Sequence, residues 1–248
     1  MSQLGEPPPL SAPAPPLGEP AATVPAAARR VYDIRDVIRA TFDGGELVEV
    51  SPRWAPNMVT GMGRIEGRPV GVVANQPRRL AGVIDAASAE KASDFIWRCD
   101  RFRLPLVVFV DTPGFMPGIR QERAGVIRHG ATLLRAFAGA SVPKLTVVVR
   151  KAYGGAAITM NSRQLGADVV YAWPGAEIGI MAARQAVAIV HRRELEADAS
   201  IGERLESAYG ERHLSADAAA ASGFVDEVID PEDTQPRLAR ALEWLEPR

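Results

Sequence analysis

The sequence predicts an α/β fold built on a mostly parallel sheet, and three observations predict it. Two continuous apolar runs, 106–110 and 145–149, read as strands buried on both faces. Such runs alternate with stretches of helical period, as in βαβ units. The second run continues through Arg150-Lys151-Ala152-Tyr153 into Gly154-Gly155, and Ala156-Ala157-Ile158-Thr159-Met160 then reads as the start of a helix.

The elements follow in order. Residues 1–28 are dominated by Pro, Ala, Gly and Glu and offer too little apolar surface to offset ordering, so they read as a disordered arm or linker. Residues 29–248 read as a single domain. Asp33 is expected to cap a helix reaching about residue 42, with Gly44-Gly45 as its stop. Strands are expected over 47–50, 58–65 and 69–73. Ser88 is expected to cap an amphipathic helix with Ala92, Phe95, Ile96, Cys99 and Phe102 on its buried face. The strand at 106–110 precedes a helix over 124–138, and the strand at 145–149 precedes a short helix over 156–162. Short strands are expected at 169–172 and 177–180. The remainder reads as mostly helical, with one strand at 225–229.

Composition bounds the function. With 248 residues, 47% of them hydrophobic, the chain can bury one sizeable core. Its formal net charge of -1 gives no basic excess to hold a nucleic acid or a membrane surface. A single cysteine, Cys99, excludes an internal disulfide and reads as a core residue. No apolar run approaches the ~20 residues of a membrane span. The N-terminus lacks a basic start followed by an apolar stretch, so a cytoplasmic location is expected.

Few reactive side chains stand in recognisable patterns. The chain has no G-x-S-x-G elbow, no H-E-x-x-H, no phosphate loop and no Cys/His metal spacing, so no metal site is expected. His129 reads as a packing residue on a helix, and His191 and His213 as solvated. The chemistry therefore falls to the backbone. A strand that passes through Gly154-Gly155 into a helix leaves N–H groups unpaired, and such groups suit negative charge developing on an oxygen. Paired glycines also serve simple tight turns, so the loop alone is ambiguous.

A second segment narrows the reading. Val107-Val108-Phe109-Val110-Asp111-Thr112-Pro113-Gly114-Phe115-Met116-Pro117-Gly118 is another strand entering a Gly/Pro loop, and Gln121 to Ala131 then opens a helix. With Leu165-Gly166-Ala167-Asp168-Val169-Val170-Tyr171-Ala172-Trp173-Pro174, Tyr32-Asp33-Ile34-Arg35-Asp36-Val37-Ile38 and Val72-Val73-Ala74-Asn75-Gln76-Pro77, the chain resembles the carboxyltransferase β subunits of biotin-dependent acyl-CoA carboxylases, of the propionyl-CoA and acetyl-CoA type. The resemblance runs from about Val31 onward and covers only the second of that family's two related domains.

The resemblance implies a crotonase-like fold of repeated ββα units and a C-terminal half of a split carboxyltransferase. Such an enzyme passes a carboxyl group from carboxybiotin to an acyl-CoA. The implied donors to the biotin ureido oxygen are the N–H groups of Gly155 and Ala156. Gly114, Phe115, Tyr153 and Gly154 are implied on the biotin side, and Ala157 and Ile158 in the substrate pocket. Biotin would arrive on a separate carrier, since the chain has no Met-Lys-Met attachment motif. The implied partners are a chain supplying the other half, a biotin carboxyl carrier protein and a biotin carboxylase, in a homo- and hetero-oligomer. Two alternatives stand beside this: an acyl-CoA decarboxylase subunit, and a non-catalytic structural subunit. One stretch departs from the family pattern. Met181-Ala182-Ala183-Arg184-Gln185-Ala186 stands where Met-Gly-x-x-Gly-Ala is usual, so Ala182 and Gln185 replace glycines, which implies a narrowed pocket, an altered substrate or a subunit that has lost activity.

Overall fold

The computed structural model describes residues 9–27 and 30–245. The arm expected over 1–28 lies outside the described residues at 1–8 and 28, as do residue 29 and residues 246–248 of the expected domain.

Eight strands among the described residues form one sheet in the order β1-β2-β3-β4-β5-β6-β8, with β7 added beside β5. β1 (Val48–Glu49), β2 (Met58–Ile65) and β3 (Arg68–Asn75) are antiparallel neighbours. β4 (Leu106–Thr112), β5 (Lys144–Tyr153), β6 (Val169–Ala172), β7 (Glu177–Gly179) and β8 (Glu227–Val228) continue the sheet in parallel. The sheet is thus mixed, with its parallel part carrying the two apolar runs.

The continuous apolar runs have the predicted cause. Alternate residues of β4 enter different cores: Leu106, Val108 and Val110 face one, and Val107 and Phe109 the other. The first core is completed by α3 (Ala86–Arg101) and α5 (Val126–Gly139). The second is closed by α2 (Ile34–Arg39) and α11 (Thr234–Leu245), which bury Ile34, Val37, Ile38, Leu238 and Leu242. A strand covered on both faces has no solvated side to mark with polar residues.

Several expected boundaries shift. Asp33 caps α2 as expected, accepting from the Arg35 N–H at 3.0 Å. The next helix is capped three residues before Ser88: Asp85 is its cap, and Ser88 closes a capping box by donating its N–H to the Asp85 carboxylate and accepting the Asp85 N–H at its hydroxyl. Phe102, expected on the buried face, lies just past the helix end and is 56% exposed. The helix expected over 124–138 is α5, shifted by one or two residues, and a separate short helix, α4 (Ile119–Arg123), precedes it across Gly125, which is left-handed at φ 77°. The strand expected at 145–149 runs on to Tyr153, because Lys151, Ala152 and Tyr153 pair with β7. The short helix α6 accordingly spans Gly154–Thr159, starting two residues before the expected Ala156.

Residues 9–27 follow the domain surface. Ser11 N–H donates to Gly67 O at 3.1 Å, Leu17 N–H to Arg39 O at 3.0 Å, and Gly44 N–H to Pro15 O at 3.1 Å. A short helix, α1 (Pro20–Thr23), comes next. After β7 the chain forms α7 (Ala183–Val190), α8 (Arg192–Ala197), α9 (Gly202–His213) and α10 (Ala216–Ala221). Among the described residues no helix is long and apolar enough to cross a membrane, and no group of three or more His, Cys, Asp or Glu could hold a metal ion.

Candidate active site

The parallel neighbours β4 and β5 end side by side, and each feeds a glycine loop. In sheets of this kind the C-terminal ends of parallel strands are where ligands bind. Between Val110 and Thr112 the β4–β5 register shifts. Such an irregularity re-aims a side chain, and here Asp111 turns into a buried polar network. Arg150 Nε donates to Asp111 Oδ2 at 3.0 Å, and the Tyr32 hydroxyl donates to the same oxygen at 2.8 Å. The Lys151 N–H reaches Asp111 Oδ1 at 3.3 Å, and the Asp111 N–H reaches Asn75 Oδ1 at 3.3 Å. The Arg150 guanidinium also lies 4.8 Å from the centre of the Tyr32 ring. Four of the quoted motifs, carrying Tyr32, Asn75, Asp111 and Arg150, therefore meet at one point under the loops.

The β4 loop is pinned from the other side. Ile84 N–H donates to Gly114 O at 3.1 Å, and Met116 N–H donates to Ile84 O at 2.8 Å. Gly114 has φ +145°, which favours glycine, and the turn presents Phe115. Phe115 Cε2 lies 3.8 Å from where a Cβ on Gly155 would sit, so the two loops face each other across that ring. The ring also closes on Gly130 of α5, leaving 3.0 Å to a Cβ built there.

On the β5 side, Gly154 has φ +59°, and a Cβ on it would come within 3.1 Å of Ile180 O. Only glycine makes this turn without strain. Gly155 and Ala156 are the second and third residues of α6, which has no side-chain cap. Helix geometry leaves their N–H groups without intrahelical acceptors. Gly155 is exposed, and apart from Phe115 nothing comes within 4 Å of where its Cβ would sit. Ala156 turns its methyl into the core.

The remaining expected site residues divide. Ala157 and Ile158 line a cavity of about 580 Å³ together with Gly154 and Gly155. Ile158 is 45% exposed, so it stands at the rim and outside the packed interior. The Tyr153 side chain is buried, and its hydroxyl donates a short hydrogen bond to Glu177. Burial and then Glu177 push the Tyr153 phenol well above its ordinary range, so it stays protonated. Ala182 and Gln185 adopt ordinary conformations: Ala182 is the extended N-cap of α7, and Gln185 lies exposed within that helix. Neither lines the 580 Å³ cavity. Tyr209 and Arg212, which the sequence reading did not single out, reach the same cavity from α9, and so does His213, which was expected to be solvated. His213 is exposed as expected and meets the Tyr209 ring at a tilt of 46°, with ring centres 4.8 Å apart.

Adjacent glycine loops at the ends of parallel strands, one opening into a helix whose first N–H groups lack intrahelical acceptors, belong to a crotonase-like α/β fold. The chain belongs to the carboxyl transferase domain family, whose model matches residues 2–248. It is 50% identical over 226 residues to the carboxyltransferase subunit of propionyl-CoA carboxylase from Haloferax mediterranei, covering 90% of this chain and 44% of that one. It is 48% identical over 224 residues to the methylmalonyl-CoA carboxyltransferase 12S subunit of Propionibacterium freudenreichii subsp. shermanii, covering 89% of this chain and 43% of the relative. A crystal structure of transcarboxylase 12S, described as a hexamer with methylmalonyl-coenzyme A and methylmalonic acid bound, superposes with a TM-score of 0.91 at 43% identity. That superposition covers 96% of this chain and 47% of the other. The chain thus spans less than half the length of these relatives.

Proposed function

We propose that the chain is the C-terminal half of a biotin-dependent acyl-CoA carboxyltransferase, and that the Gly154-Gly155 loop is its biotin-side oxyanion hole. One observation carries this reading. The N–H groups of Gly155 and Ala156 lie in the first turn of α6 and lack intrahelical acceptors, at the edge of a cavity that Gly154 and Gly155 line and in a loop that Phe115 walls on one side. Residues 154–158 contain no ionisable side chain, so the loop's contribution is hydrogen-bond donation from a fixed backbone. Carboxybiotin on a separate carrier would give up its carboxyl group, leaving negative charge on the biotin ureido oxygen, and the freed biotin nitrogen would take the acyl α-proton that the carboxyl group replaces. The α6 N–H groups would hold that oxygen, and Gly154 fixes their direction through its left-handed turn. The Asp111–Arg150–Tyr32 network under the two strands keeps the loops in register, and Gly114 and Phe115 would bound the ring. Ala157 and Ile158, on the same helix, would face the acyl group. Tyr153 is assigned a supporting place, holding β7 through Glu177.

The half absent from the match would bring the coenzyme A contacts, on a partner chain in a larger oligomer with the carrier protein and biotin carboxylase. Positioning both substrates accounts for much of the rate of such a reaction. Purified chain supplied with carboxybiotin and propionyl-CoA should therefore turn over slowly, and the rate should rise once an N-terminal carboxyltransferase half is added. Strong activity from the chain alone, or none with any added half, would remove the split-enzyme reading.

A further inference from the structure

The surface around the β4 loop carries a charge that the chain as a whole lacks. Residues 78–85 and 115–128 hold five arginines, Arg78, Arg79, Arg120, Arg123 and Arg128, against Asp85 and Glu122, whereas the formal net charge of the full chain is -1. Backbone contacts bring the two segments together. Ile84 bonds to both Gly114 and Met116, and Gln121 Oε1 of α4 accepts the Ala86 N–H at 3.2 Å. The start of α5 joins them at Gly130, on which the Phe115 ring closes. The turn after β3, the loop after β4, α4 and the first turns of α5 therefore border Phe115, the residue that walls Gly155.

These arginines are not used by the fold. All five are exposed. Among the described residues Arg79, Arg120, Arg123 and Arg128 make no ion pair, and Arg78 reaches Asp33 at 3.7 Å. The Asp85 carboxylate is taken up by the Ser88 N–H and Asn57 Nδ2, so of the two acids only Glu122 is left to answer them. Leu80, Ile119 and Ile127 stand exposed among the arginines. α4 buries no residue and lies between Gly118 at φ 112° and Gly125 at φ 77°, so it is held on the surface and adds nothing to the core. Like charges gathered without partners repel one another, and their return lies in steering an oppositely charged partner.

Two partners must reach this site under the carboxyltransferase reading, and the interfaces they need differ. A half that stays assembled suits apolar contact. Ile180, Ile189 and Val190, exposed after β7, offer that on the side of β5 away from β4. A carrier must arrive and leave in every cycle, which suits a polar contact whose complementary charge speeds encounter. The arginine rim is of this second kind. We propose that the rim is the docking surface of the biotin carrier, and that the carrier's face around its biotinyl-lysine is acidic. The proposal rests on the carboxyltransferase reading for the partner's identity and on the rim for its charge. Arg79, Arg120, Arg123 and Arg128 would orient the incoming domain, and Leu80, Ile119 and Ile127 would supply apolar contact between them.

Fluorescence anisotropy of the full chain with three labelled peptides tests this without turnover. Each peptide carries biotinyl-lysine between two methionines, and they differ only in flanks of glutamate, serine or lysine. At about 50 mM sodium chloride the glutamate peptide should bind at least about tenfold more tightly than the lysine peptide, and at about 500 mM the ratio should fall below about threefold. Arg78→Glu with Arg79→Glu, and Arg120→Glu with Arg123→Glu, alter exposed side chains and should keep the parent melt. Each pair should bring the low-salt ratio below about threefold. Arg98→Glu with Arg101→Glu, at the far end of α3, changes the net charge equally and should leave the ratio intact. Should one rim pair unfold, the other pair and the salt dependence decide. Equal affinity for the three peptides, no measurable binding, a ratio that a folded rim pair leaves intact, or one that the α3 pair abolishes as well would overturn the rim. Binding to phosphatidylserine–phosphatidylcholine vesicles that the rim pairs abolish would make this a membrane surface and overturn the carrier. Carboxyl transfer by the reconstituted enzyme with no charge preference would remove the rim and keep the carboxyltransferase reading. A charge preference with no transfer, whatever half is added, would remove that reading and keep an acidic partner.

Discussion

Arg150 Nε donates to Asp111 Oδ2 at 3.0 Å, and both side chains are buried. The contact ties the end of β5 to the end of β4 directly beneath the two glycine loops. The Tyr32 hydroxyl shares the same carboxylate oxygen, so a residue 79 positions away along the chain completes it. A charge in this position is tolerated because nearly every atom of the carboxylate is answered.

Removing one partner should show this. Asp111→Ala leaves the Arg150 guanidinium buried without its carboxylate, and breaking a buried pair in this way costs about 3–5 kcal/mol. Urea unfolding should report a loss of that size. The double substitution Asp111→Leu with Arg150→Met should recover a good part of it. A single-variant loss below about 1 kcal/mol would mean that the network does not hold the strand ends.

The two glycines should separate stability from catalysis. Gly154→Ala forces a side chain into φ +59° and to within 3.1 Å of Ile180 O, and should cost about 1–2 kcal/mol. At Gly155 a methyl has ordinary room, with Phe115 Cε2 at 3.8 Å, so Gly155→Ala should melt within about 0.5 kcal/mol of the parent. Gly155→Val should fold but crowd the space before the N–H groups. If these are the oxyanion donors, carboxyl transfer in the reconstituted enzyme should fall by about 10²–10³. Normal turnover by a folded Gly155→Val would place the reacting group elsewhere.

Ile158→Asp should change selectivity more than stability. The side chain is 45% exposed, so a carboxylate there keeps its water and the melting temperature should hold. Beside a bound alkyl chain the same carboxylate loses that water. The ratio of kcat/KM between acetyl-, propionyl- and butyryl-CoA should shift, since one methylene in a pocket is worth about 1–3 kcal/mol. A uniform loss for all three, with a falling melting temperature, would return Ile158 to the core.

Cys99 should be inert in the folded chain. Burial first, and then Asp100, push its thiol up to about 12. At pH 8 iodoacetamide should label it only after denaturation, when one equivalent appears. Rapid labelling of the native chain would show that α3 opens readily from the sheet.

Deleting residues 1–24 should leave the melting temperature nearly unchanged. Three backbone hydrogen bonds join residues 11, 15 and 17 to the domain. At a net ~1 kcal/mol each, they scarcely match the ~1–2 kcal/mol per residue needed to order that segment. A drop of several degrees would instead give the segment a structural role through the buried Pro20.

The two central strands and the glycine turn were legible in the sequence because their causes are local. A continuous apolar run follows from burial on both faces, and Gly154 follows from a backbone angle that other residues resist. Asp33 announced the start of α2 for the same reason, since a cap acts within its own turn. The short helix α4 before Gly125 and the cap at Asp85 were missed because glycine and aspartate each fit several local roles, and neighbouring elements choose among them. Tyr32, Asn75, Asp111 and Arg150 could be named as parts of motifs, but their meeting is a matter of sheet order and a register shift. The cavity is further still from local rules. It exists because α9 and α10 cover one face of β4, β5 and β6 without filling it, and packing between distant segments has no period or spacing to betray it. The sequence by itself determined which strands are buried and where the backbone must turn. Only the tertiary structure decided how wide a space lies beside that turn, because volume depends on how all the surrounding elements pack together.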